Sequence, residues 1–256
     1  MSEPARLYGI RQSHAVLAAR LMLAHAGIRH DVRDVLPGLH PFAVRAAGFR
    51  GWTVPALRLG GRRIQGTLAI SRALDEIEGA PPLFPADPAR RREVEAAERW
   101  GHDELQEPVR RIFRWAGSES NVVRTWLSHE VMHLPAPALA GQLSRPAYLA
   151  FSRVSKATTA RIRADLAQLP AKLDHADGLV ARETIGGAEP NAADFQICAS
   201  LRLLLAFDDL RPLLAARRCG QAALALVPHF PVPPPGELPP IPPVLPAAWI
   251  PAPVAA

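Results

Sequence analysis

Apolar residues come in short, glycine-punctuated runs over the first eighty positions and recur at a helical period over most of the rest. Leu7-Tyr8-Gly9-Ile10 reads as a short strand, and Ser13 stands at the head of the run Val16, Leu17, Leu21, Leu23, Ala24, where a helix begins. Gly27 stops that helix. Ile28 to Leu36 alternates weakly and suits a second strand, firmest around Val32 and Val35. From Pro37 to Trp52 the glycines and prolines predict a loop holding one short helix. Val54 to Leu59 is a third strand, Gly60-Gly61 a tight hairpin turn, and Arg62 to Gln65 a fourth strand. Pro55 cannot donate to a ladder, so it belongs at a strand's start or at an edge. Thr67 caps a helix that runs through Ile70, Leu74 and Ile77 to Gly79.

A proline-rich linker, residues 80–88, leads into a region with helical periodicity only, residues 89–227. Its first helix runs from Ala89 to Ala116, with Val94, Ala97, Gly101, Leu105, Val109, Ile112, Phe113 and Ala116 on one face. Further helices fit Ser120 to Leu134, Pro146 to Ala176, Ala192 to Phe207 and Arg211 to Leu226. Asn191 and Asp194 form a capping-box variant at the start of the third of these. The tail, residues 228–256, is dense in proline but holds Phe230, Ile241, Leu245, Trp249 and Ile250, and is expected to lie extended on the helical region. The strand, helix, strand, helix, hairpin, helix order followed by helices alone predicts an α/β thioredoxin-like N-terminal domain, residues 1–79, and an all-α helical-bundle C-terminal domain.

Composition changes this picture little. A net charge of +6 and a pI near 10.3 first suggest nucleic acid, yet the cations are nearly all arginines spread among acids along helices, so no nucleic-acid partner is expected. Cys198 and Cys219 lack CxxC spacing and form no disulfide framework, which suits a reducing compartment, and Cys198 is expected to be buried rather than reactive. The first residues lack an apolar stretch of signal-peptide type, and the longest apolar run, around Leu201 to Phe207, is too short to span a bilayer, so a cytoplasmic, membrane-free protein is expected.

Thr53-Val54-Pro55-Ala56-Leu57, the following Gln65-Gly66-Thr67-Leu68-Ala69-Ile70 and the lead-in from Leu7 to Arg20 together resemble the glutathione transferase family, and the Asn191–Asp194 cap is a second landmark shared with its helical domain. The resemblance implies a cis bond before Pro55, with the main chain of Val54 turned outward to pair with an extended peptide-like thiol. It implies that Ser13 is the catalytic residue, as in the serine and cysteine subfamilies. There its hydroxyl would donate to the thiol sulfur of glutathione, or of another low-molecular-weight thiol, at a helix N-terminus that favours the thiolate. Gln65, Gly66, Thr67 and His40 fall at the remaining thiol-binding positions. The family places a second substrate between its domains, and Trp100, Glu104, Arg111 and Trp115 on the first long helix are the residues expected to wall that pocket. An electrophilic small molecule, a homodimer, a role in detoxification and no metal complete what the resemblance implies.

Three departures shape the alternatives. The residue after Ser13 is His14 rather than proline, and Gly66 and Thr67 stand where the family has an acid and a serine for the γ-glutamyl group. Gly66 offers nothing to the ligand's ammonium, a loss of about 1.5 to 3 kcal/mol unless Gln65 or a distant acid substitutes. The bland reading of Ser13 is a helix cap, that of Tyr8 is packing, and that of the tryptophans is core. A non-catalytic ligand-binding or interaction module is therefore the alternative function. The motif His129-Glu130-Val131-Met132-His133 matches a zinc hydrolase pattern, against which Leu134-Pro135 ends the helix at once and no third ligand is spaced to join it. Its simpler reading is the polar shoulder of a packed helix.

Overall fold

Strand β1 (Ala5–Gly9) alternates buried and half-buried residues, and it is the strand on which the sheet is built. It pairs in parallel with β2 (His30–Asp34) and antiparallel with β3 (Ala56–Leu59), which pairs antiparallel with β4 (Arg62–Gln65). The order is β2-β1-β3-β4. Parallel pairing requires a crossover, supplied here by helix α1 (His14–His25). Helix α2 (His40–Ala46) lies within the loop between β2 and β3, and α3 (Thr67–Asp75) follows β4. This computed structural model describes residues 4–35, 38–228 and 239–252, so Leu36, Pro37 and Phe230 of the expected elements lie outside the described residues.

The sheet has two dissimilar faces. On one, Tyr8, Val44, Phe49 and Ala56 make a small cluster beneath α2, with the Tyr8 and Phe49 rings edge to face at 5.6 Å. On the other, Leu7 and Leu57 pack with Met22 and Leu23 of α1 and Ile70 and Leu74 of α3 in a core that continues without a break into the helical region. Leu83 and Phe84 of the proline-rich stretch are buried in that core, and Arg72 and Arg91 cover the Phe84 ring.

The helical region comprises α4 (Pro88–Trp100), α5 (Gln106–Glu119), α6 (Asn121–Trp126), α7 (Pro137–Leu143), α8 (Arg145–Val154), α9 (Thr159–Ala181), α10 (Ala192–Ala206), α11 (Arg211–Leu214) and α12 (Arg218–Leu226). A π turn, Gly101–Leu105, joins α4 to α5 so that they continue as one rod. Gly101 sits where that rod crosses α10: a Cβ there would lie 2.7 Å from Ile197. A second π turn, Leu127–Val131, ends the helix that starts at α6. The expected Pro146 to Ala176 helix is two helices, broken at residues 155–158, where Lys156 takes a left-handed φ of 52° and Thr158 caps α9. The expected Arg211 to Leu226 helix is likewise two, and α7 was not anticipated between its flanking prolines.

Helix α10 is buried along its whole length and packs on α1. Its capping box is complete: Asn191 accepts from the Ala193 and Asp194 amides, and the Asp194 carboxylate accepts from the amides of Asn191 at 3.0 Å and Gly186 at 2.6 Å. The described part of the tail, residues 239–252, lies against the helical region. Ile241 exchanges main-chain hydrogen bonds with Ala206 and Asp208, Asp209 accepts from Val244 and Leu245, and Trp249 rests against Trp115 at 5.6 Å. No helix among the described residues is long and apolar enough to cross a membrane.

Candidate functional site

A cavity of about 670 Å³ opens between the sheet domain and the helical region. Ser13, His40, Val54, Pro55, Gly66 and Thr67 line one wall. Ser13 reaches it because β1 ends in a turn in which the Ser13 amide donates to the Ile10 carbonyl at 2.9 Å, placing Ser13 as N-cap of α1. Its Oγ accepts from the Val16 amide at 3.4 Å, a long capping bond that uses a lone pair and not the hydroxyl proton. Among the described residues no acceptor takes that proton. The chemistry open to it is donation into the cavity.

The Val54-Pro55 peptide bond is cis. Among the described residues no hydrogen bond engages the main chain of Val54, while the Pro55 carbonyl accepts from the Gly66 amide at 2.9 Å. Gln65 braces this edge from below, its Oε1 accepting from the Gly51 amide at 2.8 Å and its Nε2 donating to the Thr53 carbonyl at 2.7 Å. Its side-chain amide is thereby committed to the loop. The cap of α3 is Gly66 and not Thr67 as the sequence suggested: Gly66 holds φ 89° and ψ 151°, a conformation almost confined to glycine, and makes no side-chain cap. Thr67 is the first helical residue, 1% exposed, with its hydroxyl buried and unpartnered. What α3 presents to the cavity is therefore its positive end, the free amides of its first turn.

The opposite wall comes from the α4–α5 rod, α8 and α10: Asp103, Gln106, Glu107, Arg110, Phe113 and Arg114 with Tyr148, Phe151, Val154 and Leu203. Arg110 pairs with Glu107, and Arg114 lies over the Phe151 ring at 5.7 Å. Burial, reinforced by its arginine neighbours, brings the Arg110 guanidinium down to about 10. His14, 3% exposed, lies beneath the cavity with neither ring nitrogen hydrogen-bonded. Burial first, then Arg110 and Arg114, push its pKa well below the usual histidine value, so the ring is neutral. His40, at the first position of α2, is shifted the same way by burial and by Arg114, and its ring lies 6.0 Å from Phe151.

Trp100, Glu104, Arg111 and Trp115 are not among the residues lining this cavity. Trp100 stacks on His175 at 4.3 Å, Glu104 pairs with Lys172, Arg111 grips Asp165 through two bonds of 2.7 and 2.8 Å, and Trp115 donates to Thr159. All four bind the rod to α9 or its start. The cavity face is the neighbouring stripe Asp103, Glu107, Arg110, Arg114, one position away and so about 100° round the helix. The signal that could have found it is its own 4, 3, 4 spacing of charged residues beside the apolar stripe Leu105, Val109, Ile112, Ala116.

At the other sequence motif, His129 Nδ1 lies 2.7 Å from the Glu130 carboxylate and His133 has left the helix with φ 51°. Among the described residues no three His, Cys, Asp or Glu side chains are grouped as a metal ion would need. Cys198 and Cys219 are buried free thiols whose ionisation burial disfavours, Cys219 being pushed up to about 12.

Residues 7–82 match the family described as glutathione S-transferase, N-terminal domain. No curated protein matches the chain in sequence. Among solved structures, FzlA from C. crescentus superposes with a TM-score of 0.54 at 23% identity, covering 93% of this chain and 96% of that one. A glutathione S-transferase from Rhodospirillum rubrum gives 0.54 at 20% identity, covering 86% and 91%. Poplar glutathione transferase F1 gives 0.58 at 15% identity, covering 88% and 92%. At these identities the likeness is one of fold.

Proposed function

We propose, from the premise that residues 7–82 belong to the glutathione S-transferase N-terminal-domain family and that the described chain has the glutathione transferase fold, that this protein is a thiol transferase whose catalytic residue is Ser13. The observation that carries the reading is the convergence on one cavity of an uncommitted Ser13 hydroxyl, the unused main chain of Val54 and the positive end of α3. An extended thiol peptide would pair with Val54 as an added strand does and set a carboxylate at the first turn of α3. The Ser13 hydroxyl would then donate to its sulfur.

The chemistry follows from that donation. The thiol gives its proton to solvent, the thiolate accepts the Ser13 hydrogen bond, and its electron pair forms the C–S bond to an electrophile held against the apolar part of the facing wall. The electrons displaced at that carbon leave with a leaving group or settle on an activated double bond. A thiol of ordinary pKa near 8.5 is only a few per cent ionised at pH 7, and each unit of lowering gains about 1.4 kcal/mol for the thiolate.

A second reading, a ligand-binding or interaction module without catalysis, is favoured by one observation. Position 66 carries no acid, and the Gln65 amide is already spent on Gly51 and Thr53. The transferase reading therefore needs another acid for the ammonium, and Asp103, on the facing wall of the same cavity, is its candidate. Calorimetric titration with glutathione separates the readings. Binding in the millimolar range or tighter, weakened by Asp103→Asn and accompanied by a thiolate absorbance that Ser13→Ala removes, supports the transferase, and no binding of any cellular thiol supports the module. The transferase reading also carries a homodimer, which sedimentation equilibrium would test.

A further inference from the structure

We propose that the second ligand of this cavity carries an anionic group on an apolar body, and that Arg114 receives the anion. The facing wall is apolar where Phe113, Phe151 and Val154 line it, yet two guanidinium groups enter it one helical turn apart. They differ in what surrounds them. Arg110 has its countercharge in Glu107, which also lies 3.9 Å from Arg111. Arg114 has none: among the described residues it forms no ion pair, and its neighbour is the face of Phe151 at 5.7 Å. Burial disfavours its charge and no carboxylate offsets that cost. A half-buried cation left on a ring face in a cavity is an incomplete pair, and an anion arriving with a ligand completes it.

The anion is assigned to the second ligand because of where the groups reside. Ser13, His40, Val54, Gly66 and Thr67, the contacts proposed for the thiol's sulfur, main chain and carboxylates, lie on the sheet domain, and Asp103, offered to its ammonium, stands at the π turn, whereas Arg114 projects from α5 beside the apolar surface, about three helical turns further along the rod. The identity of this ligand as the electrophile rests on that reading; the preference of the cavity for an anionic apolar ligand does not. An electrophile with a carboxylate, sulfonate or phosphate ester on an aromatic or aliphatic body fits the wall. A neutral hydrocarbon electrophile leaves Arg114 uncompensated.

The test measures binding of 2-naphthoate and of neutral 2-naphthalenemethanol to the full chain by calorimetry. Wild type is expected to prefer naphthoate by roughly ten- to a hundredfold, the worth of one charge-assisted pair. Arg114→Gln should bring the two probes to within about twofold of each other, and Arg114→Lys should restore part of the preference. Should Arg114→Gln fail to fold, Arg114→Met keeps the stem over Phe151 and removes the charge. Ser13→Ala is expected to leave the preference unchanged, which separates this inference from the thiol reading. Glutathione in excess should not displace naphthoate. Equal affinity of wild type for the two probes, a preference that survives Arg114→Gln and Arg114→Met, or competitive displacement by glutathione would each overturn the proposal.

Discussion

Gln65 sits next to the position where the thiol's ammonium lacks an acid, and its geometry makes a prediction opposite to the obvious one. If Gln65 were the ammonium's partner, Gln65→Glu would add charge where charge is wanted and tighten glutathione binding. The structure instead has the side-chain amide bridging Gly51 and Thr53, bonds of 2.8 and 2.7 Å that hold the approach to Val54. A carboxylate at that place keeps the bond from the Gly51 amide but sets an oxygen against the Thr53 carbonyl oxygen with no hydrogen between them. Each bond is worth about 0.5 to 1.5 kcal/mol net, and water can reach this partly exposed loop, so Gln65→Ala and Gln65→Glu should each lose about 1 to 2 kcal/mol of stability. Urea denaturation with an unchanged m-value reads that loss. Hydrogen exchange of the amides around 51–54 should speed up in both variants, and the glutathione affinity should fall in both. Tighter binding by Gln65→Glu with wild-type stability would refute the bracing role.

Three further outcomes follow from the same geometry. Gly66→Asp, the change that would supply the absent acid, places a side chain at φ 89° and ψ 151°; it should cost about 1 to 3 kcal/mol of stability and gain no glutathione affinity, both read in one denaturation and titration series. At the junction of α3 and α4, fully buried Glu98 accepts from Ser71 and Arg72, and burial outweighs both partners to raise its pKa. The native chain therefore holds this proton at higher pH than the unfolded chain. The group's contribution is complete below the unfolded value of about 4.3 and is lost as pH rises through the native one, so wild type should lose stability relative to Glu98→Gln across that window, and a constant difference would contradict it. Asp194→Ala removes an acceptor buried at 2% exposure that serves two amides, and should cost about 3 kcal/mol or more, checked by the denaturation midpoint.

Much of the sheet domain was legible because its elements are short, amphipathic and punctuated. The short strand at Leu7, Ser13 ahead of α1 and the Gly60-Gly61 turn are local signals, as is the Asn191–Asp194 cap in the helical region, and the structure shows each. The helical region was less legible where the backbone departs from a straight helix. No residue pattern announces the π turn at Gly101–Leu105, whose partner is Ile197 on α10, and the break before α9 depends on Lys156 adopting a left-handed conformation. The face that lines the cavity was passed over for its neighbour, because both carry charge and the two tryptophans, Trp100 and Trp115, stand on the neighbour. The bracing role of Gln65 was equally hidden: it joins residues 65, 51 and 53 through contacts set by the hairpin and the loop together, and sequence spacing does not specify them.

The central claim is that the Ser13 hydroxyl, placed at the tip of α1 with its proton uncommitted, stabilises a bound thiolate. The most direct measurement is the pH titration of thiolate absorbance for glutathione bound to wild type, Ser13→Thr and Ser13→Ala, each checked for an unchanged unfolding transition. The account predicts a thiol pKa below the free value of about 8.5 in wild type, a lowered value retained at least in part by Ser13→Thr, and a return toward the free value in Ser13→Ala. A bound thiol that titrates like free glutathione in wild type, or one whose lowered pKa is untouched by Ser13→Ala, would contradict it.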